Sequence, residues 1–165
     1  MKTNWLIVIL IIIFFGVLYA VNYYGKSVPK LPLLNTKLDN EDSTEFPIQS
    51  LKGKVTIVSF FQTWCGDCRA EAKELTVLQN KVGGTEKLEV FLITDEYGER
   101  LSIFKSATQT TFPILHSNKS MKELGIRRFP TTYLLDKNGK IIDAKVEGIH
   151  WNTPEIWKEI NALNR

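Results

Sequence analysis

The sequence predicts an α/β domain, a mixed central sheet flanked by helices, behind an amino-terminal transmembrane helix. Three observations predict it. Trp5 to Tyr24 is a long uncharged apolar run; strand-like and helix-like segments alternate from Lys54 to Leu115; and Asn138-Gly139 joins two β-rich stretches before a final helical segment. The chain has 165 residues, which suits one globular domain and an attachment. Hydrophobic residues make up 44%, enough for a packed core. The formal net charge is +3, from 21 basic and 18 acidic residues, with no basic run beyond Arg127-Arg128. That balance argues against nucleic acid as a partner.

The segment WLIVILIIIFFGVLYAVNYY carries no charge between Leu6 and Val21. About 20 helical residues at ~1.5 Å each span a hydrocarbon core of ~30 Å. Trp5, Tyr19, Tyr23 and Tyr24 stand at the two ends, where amphipathic rings favour the interface. A cleaved signal peptide fits less well, because Leu18-Tyr19-Ala20 is a poor small-x-small site. Residues 1–24 are therefore expected to be an uncleaved single-pass anchor. Lys2 faces Lys26 and Lys30 across it, so flanking charge sets no orientation. Residues 25–35, GKSVPKLPLLN, read as an extended linker.

Residues 36–165 form the predicted domain. Leu38, Phe46 and Ile48 suit an added hairpin at a sheet edge. Lys54 to Phe61 is β-branched and aromatic and reads as a buried strand. Asp67 to Val82 reads as a helix, with Ala72, Leu75, Leu78 and Val82 on one face and Gly83-Gly84 as its stop. Glu89 to Thr94 is a second strand. Glu99 to Ala107 is a short helix with Leu101, Phe104 and Ala107 inward. Phe112 to Leu115 is a short strand, and Met121 to Leu124 a turn or two of helix. Thr132 to Leu135 and Ile141 to Val146 make a hairpin around Asn138-Gly139. Pro154 to Leu163 closes the chain as a helix with Ile156, Trp157, Ile160 and Leu163 on its apolar face. Alternation first and an antiparallel hairpin last predict a mixed sheet with helices on both faces.

Trp64-Cys65-Gly66-Asp67-Cys68 lies where the first strong strand ends and the long helix begins. Unpaired N–H groups and the helix dipole stabilise an anion there, so Cys65 should be the more acidic, nucleophilic thiol. Cys68, one turn on, is placed to attack a mixed disulfide formed at Cys65. Asp67 favours the dipole but opposes a neighbouring thiolate, and the sequence does not fix the balance. With two cysteines in all, a disulfide-stapled scaffold and a four-cysteine zinc site are excluded. His116 and His150 show no ligand spacing, and no metal or other cofactor is expected. Phe129-Pro130-Thr131 precedes the hairpin. A proline there takes a cis bond or opens an edge strand, and the residues alone do not separate the two.

Two stretches carry a resemblance. KGKVTIVSFFQTWCGDCRAE, from Lys52 to Glu71, resembles the active-site region of thioredoxin-like proteins, and GIRRFPTTYLLD, from Gly125 to Asp136, resembles their cis-proline segment. With the anchor and the insert after the second strand, the chain resembles the TlpA/ResA-like branch of membrane-anchored thiol–disulfide oxidoreductases. The resemblance implies a thioredoxin fold, with Cys65 attacking and Cys68 resolving. It implies substrate contact at Trp64, Phe129 and a cis Pro130. Thioredoxins carry a buried acid six residues before the first cysteine, where this chain has Ser59. Some relatives draw an acid from the insert, which makes Asp95, Glu96 and Glu99 the candidate proton acceptors. The implied activity is disulfide reduction on the extracytoplasmic side of a bacterial cytoplasmic membrane. Protein thiols and disulfides are the implied partners, apocytochrome c among them, with electrons from a membrane thiol donor.

Other functions remain open at this point. A general disulfide oxidase or isomerase would use the same pair. A copper chaperone would hold metal between the cysteines and want a third ligand. A thiol peroxidase would want a proline before Thr63-Trp64-Cys65, and Gln62 stands there instead.

Overall fold

A computed structural model describes residues 5–25, 30–31, 36–148 and 150–165. Helix α1 runs over Trp5–Gly25, 21 residues, and its side chains are described through Val21. Among the described residues no helix is long and apolar enough to cross a membrane. Residues 1–4 of the expected anchor and most of the expected linker lie outside the described residues.

The domain is built on a seven-stranded sheet of order β2-β1-β5-β4-β3-β6-β7. Its strands are β1 (Leu38–Asp39), β2 (Glu45–Phe46), β3 (Thr56–Phe60), β4 (Glu89–Thr94), β5 (Ile114–Ser117), β6 (Thr131–Leu135) and β7 (Ile141–Val146). The three central strands β5, β4 and β3 are parallel, and β6, β7, β1 and β2 pair antiparallel around them. The expected edge hairpin is present as β1–β2. Helices α2 (Gly66–Val82), α3 (Glu99–Thr108) and α4 (Pro154–Leu163) complete the domain. Gly83 takes φ 110° and ends α2, a left-handed position that favours glycine.

Strand alternation divides the core. Ile57 and Leu134 face a cluster with Leu75 and Leu78 of α2, Phe104 of α3 and Ile160 of α4. Val58, Phe60 and Tyr133 face the opposite cluster, with Leu38, Leu115, Met121 and Ile126. All three domain helices therefore pack on one face, not on both as the alternation suggested. The reason is topological. The crossovers β3–α2–β4 and β4–α3–β5 step across the sheet in the same direction, and right-handed crossovers then place both helices on the same side. The return from β5 to β6 covers the other face.

That return departs from expectation. Met121 to Leu124 forms turns, closed by Leu124 N–H to Ser120 O and Ile126 N–H to Met121 O. The strand expected at Phe112–Leu115 is displaced to Ile114–Ser117. Ala107 is exposed, and Thr108 takes the inward place, its hydroxyl bonded to Phe104 O at 2.8 Å.

Candidate active site

Cys65 is the N-cap of α2. Its backbone is extended (φ −78°, ψ 116°), and its sulfur accepts the N–H of Cys68 at 3.1 Å. The first turn of a helix leaves N–H groups without intrahelical partners. One of them is thus already pointed at the sulfur where a thiolate would form. Cys65 and Cys68 are joined as a disulfide, with Cα atoms 5.3 Å apart. Cys65 is 6% exposed and Cys68 2%, so the first cysteine is the more accessible of a mostly covered pair. Trp64, 65% exposed, stands beside them.

The loop that presents Cys65 is held from three sides. Glu96 accepts from both the N–H and the hydroxyl of Thr63. Arg69 donates to Thr63 O at 2.7 Å. Asp95 accepts from the Gln62 amide and, through its other oxygen, from Met121 N–H at 2.8 Å. His116 holds Glu96 O through Nδ1 at 3.0 Å, and its ring stacks on Tyr97 at 4.5 Å. The opposite wall is Phe129-Pro130, whose peptide bond is cis. Phe129 packs against the cluster containing both cysteines, and its ring meets Trp64 edge-on at 5.8 Å.

Beneath the pair lies Glu71, 1% exposed. It sits one turn after Cys68 on α2, and side chains three apart on a helix are neighbours. Ser59 Oγ donates to Glu71 Oε2 at 2.6 Å, Trp151 Nε1 donates to Oε1 at 2.9 Å, and Thr132 Oγ1 lies 2.9 Å from Oε1. Ser59 and Thr132 are direct partners across β3 and β6, so two paired strands aim hydroxyls at one carboxyl. Burial pushes the Glu71 pKa up to about 7. The bonds from Ser59, Thr132 and Trp151 and the charge of Lys145 oppose that rise. A carboxyl with this pKa can both take and return a proton near neutrality.

This geometry has known counterparts. A family profile described as Redoxin matches residues 25–160, most of the chain.

The chain belongs to the Redoxin family.

This redoxin is 32% identical over 127 residues to the thioredoxin-like protein YneN of Bacillus subtilis, covering 74% of the chain and 71% of that protein. It is 28% identical to sporulation thiol-disulfide oxidoreductase A of Bacillus subtilis, over 66% of the chain and 68% of that protein. To the thiol-disulfide oxidoreductase ResA of Bacillus anthracis it is 26% identical, over 72% and 67%. Among solved structures it superposes on the thioredoxin domain of a Bacteroides vulgatus thiol-disulfide oxidoreductase with a TM-score of 0.64. That match has 18% identity and covers 84% of this chain and 99% of that one. Its match to StoA of Bacillus subtilis has a TM-score of 0.53 and 22% identity, covering 78% and 95%. The fold is that of thioredoxin, and the redoxin is a thiol–disulfide oxidoreductase of the ResA/StoA type with a Cys65–Cys68 pair.

The structure brings Cys65, Cys68, Trp64, Phe129 and Pro130 of this redoxin together. The acids expected to accept protons are bonded to the adjoining loop or exposed. Asp95 and Glu96 hold the loop before Cys65, and Glu99 is exposed at the start of α3. Glu71 was missed. The signal was present, because position 71 falls inside the apolar stripe of Cys68, Ala72, Leu75 and Leu78, where an acid is buried by the helix period. Ser59 does not replace the thioredoxin acid but bonds the one that α2 supplies. Among the described residues no group of three or more His, Cys, Asp or Glu could hold a metal ion.

Proposed function

We propose that this redoxin is a membrane-tethered, extracytoplasmic disulfide reductase. The observation that carries the chemistry is the Cys65 sulfur capping α2 over the buried Glu71. In the reduced protein the Cys65 thiolate attacks one sulfur of a substrate disulfide. A mixed disulfide forms and one substrate thiolate leaves. Glu71 takes the proton of Cys68, whose thiolate then attacks the Cys65 sulfur. The bond between Cys65 and substrate breaks, and the second substrate thiolate departs. The substrate has gained two electrons and, from solvent and Glu71, two protons, and the pair is left oxidised. A dithiol donor at the membrane restores it by the reverse exchange. Phe129 offers backbone groups to an extended substrate, with Trp64 and Pro130 as the walls of its seat. Cysteine-containing polypeptides are the substrate class, and the heme-site cysteines of apocytochrome c fit it.

Residues 1–24 serve as the anchor, 25–35 as the linker and 36–165 as the catalytic domain. The uncharged run Leu6–Val21 of the sequence supports this division. Redox titration of the metal-free protein tests the direction of electron flow. A two-electron transition near −270 mV, the range of thioredoxin, is the expected result, whereas a value near −120 mV would make the protein an oxidase. Location is tested separately. Protease added outside spheroplasts should digest residues 25–165, and complete protection behind an intact membrane would place the domain inside.

A further inference from the structure

A cavity of about 580 Å³ lies away from the cysteines, neither of which lines it. It opens between the 3-10 turn Ile48–Leu51, the end of β6, the start of β7 and the stretch Lys30-Leu31. Leu31, Ile48, Leu51, Leu135 and Ile141 give it an apolar floor. Lys30, Lys52 and Lys140 rim it, and no acidic residue lines it. None of the three lysines makes a salt bridge among the described residues. The acid nearest in sequence to Lys140, Asp136, already accepts the backbone N–H groups of Asn138 and Lys140 at 2.8 and 2.9 Å.

Its place in the fold limits what can occupy it. Lys30 lies five residues beyond Gly25, the last residue of α1. A chain spans at most ~3.6 Å per residue, so Lys30, one edge of the rim, lies within about 18 Å of the end of α1. If α1 is the anchor, its five-residue link keeps the Lys30 side of the cavity near the bilayer surface. Volumes of about 300–1,000 Å³ suit small apolar ligands. Three lysines without a salt bridge among the described residues, beside an apolar groove, match an amphiphile with a negative head and a hydrocarbon tail. Anionic headgroups attract basic groups held within a Debye length of the membrane surface, about 8 Å at physiological salt.

We infer that this groove receives an acyl chain of an anionic phospholipid from the anchoring membrane, with its phosphate among Lys30, Lys52 and Lys140. The inference rests on the proposed anchoring by α1. Its consequence is orientation. Leu135 pairs with Thr56 at one end of the β3–β6 ladder, whereas Phe60 and Thr131, which lead to Cys65 and from Pro130, pair at the other. A domain seated through the groove holds its disulfide on the side away from the bilayer, open to soluble polypeptides.

The test uses the full chain in lipid nanodiscs doped with phosphatidylglycerol or phosphatidylcholine, each carrying a photoactivatable group on its acyl chain. Adducts are located by peptide mass spectrometry. Adducts on peptides holding Ile48 and Ile141 should be at least about fivefold stronger with phosphatidylglycerol. K52E/K140E should lower them about fivefold, while adducts on α1 and insulin reduction stay unchanged. Adducts on α1 without any on Ile48 or Ile141 would overturn the groove and leave the anchor standing. Equal groove labelling by both lipids, or labelling unmoved by K52E/K140E, would overturn the anionic headgroup. Failure of the chain to enter nanodiscs would overturn the anchoring reading and this inference with it.

Discussion

Cys68→Ala is expected to stop turnover and leave the protein covalently joined to its substrates. Cys65, at the cap of α2, would still attack, because its stabilising N–H comes from the backbone of residue 68 and survives the substitution. No second sulfur would then resolve the mixed disulfide, and the adduct would persist under non-reducing conditions. Cys65→Ser removes the nucleophile itself, and losses for such changes are on the order of 10³-fold or more. Turnover of a protein disulfide should fall to that extent in both variants, but only Cys68→Ala should accumulate adducts. Adducts formed by Cys65→Ser through Cys68 would reverse the two roles. Mass spectrometry of the trapped species would identify the substrates directly.

Glu71→Gln is expected to raise stability above neutral pH while lowering activity there. Folded Glu71 has a pKa near 7, above its ordinary value of 4.5, so between these values the folded protein binds more protons than the unfolded chain. Stability contributed by the protonated carboxyl is fully present below about pH 4.5 and is lost as pH rises through 7. The climb from 4.5 to about 7 is worth about 3 kcal/mol, at ~1.36 kcal/mol for each pH unit. Glutamine stays neutral, keeps an oxygen in place of Oε1 to accept from Trp151 Nε1 and Thr132 Oγ1, and presents its amide N–H to Ser59 Oγ, which then accepts. Urea unfolding of the oxidised proteins should therefore agree near pH 4.5 and diverge by up to about 3 kcal/mol at pH 8, with the variant the more stable. Because glutamine cannot accept the proton of Cys68, turnover at pH 7 should fall about 10²- to 10⁴-fold. Parallel stability curves across this range would show that Glu71 does not titrate there. Unchanged turnover would remove it from the proton path.

Much of this was legible because local and tertiary signals agreed. The strand Glu89–Thr94, the end of α2 at Gly83 and the helix Pro154–Leu163 stand where side-chain period and turn residues put them. The Cys65–Cys68 pair was legible for the same reason, since a strand runs into a helix around it. The remainder depended on partners distant in sequence. The helix period could have shown that Glu71 is buried, but what it bonds appears only when β3 and β6 bring Ser59 and Thr132 to it. Asp95 and Glu96 read as candidate proton acceptors, and only the fold shows the loop at Gln62 and Thr63 bonded to them. The helix expected at Met121–Leu124 yields to Gly125, whose φ of 77° turns the chain so that Ile126 can enter the core. Thr108 is buried in place of Ala107 because its hydroxyl is satisfied within α3.

If the proposed anchor holds, the two outer strands of the sheet have a bearing on life in a crowded layer. At one rim β2 is only two residues long. At the other, β7 carries Asp143 and Lys145, and a bulge opposite Leu134 and Leu135 bends its pairing with β6. Short, charged and bent rims are poor templates for a neighbour's strand. Copies confined to a surface meet far more often than copies free in solution, and each encounter is a chance to zip edge to edge. This sheet is finished on both sides against such growth.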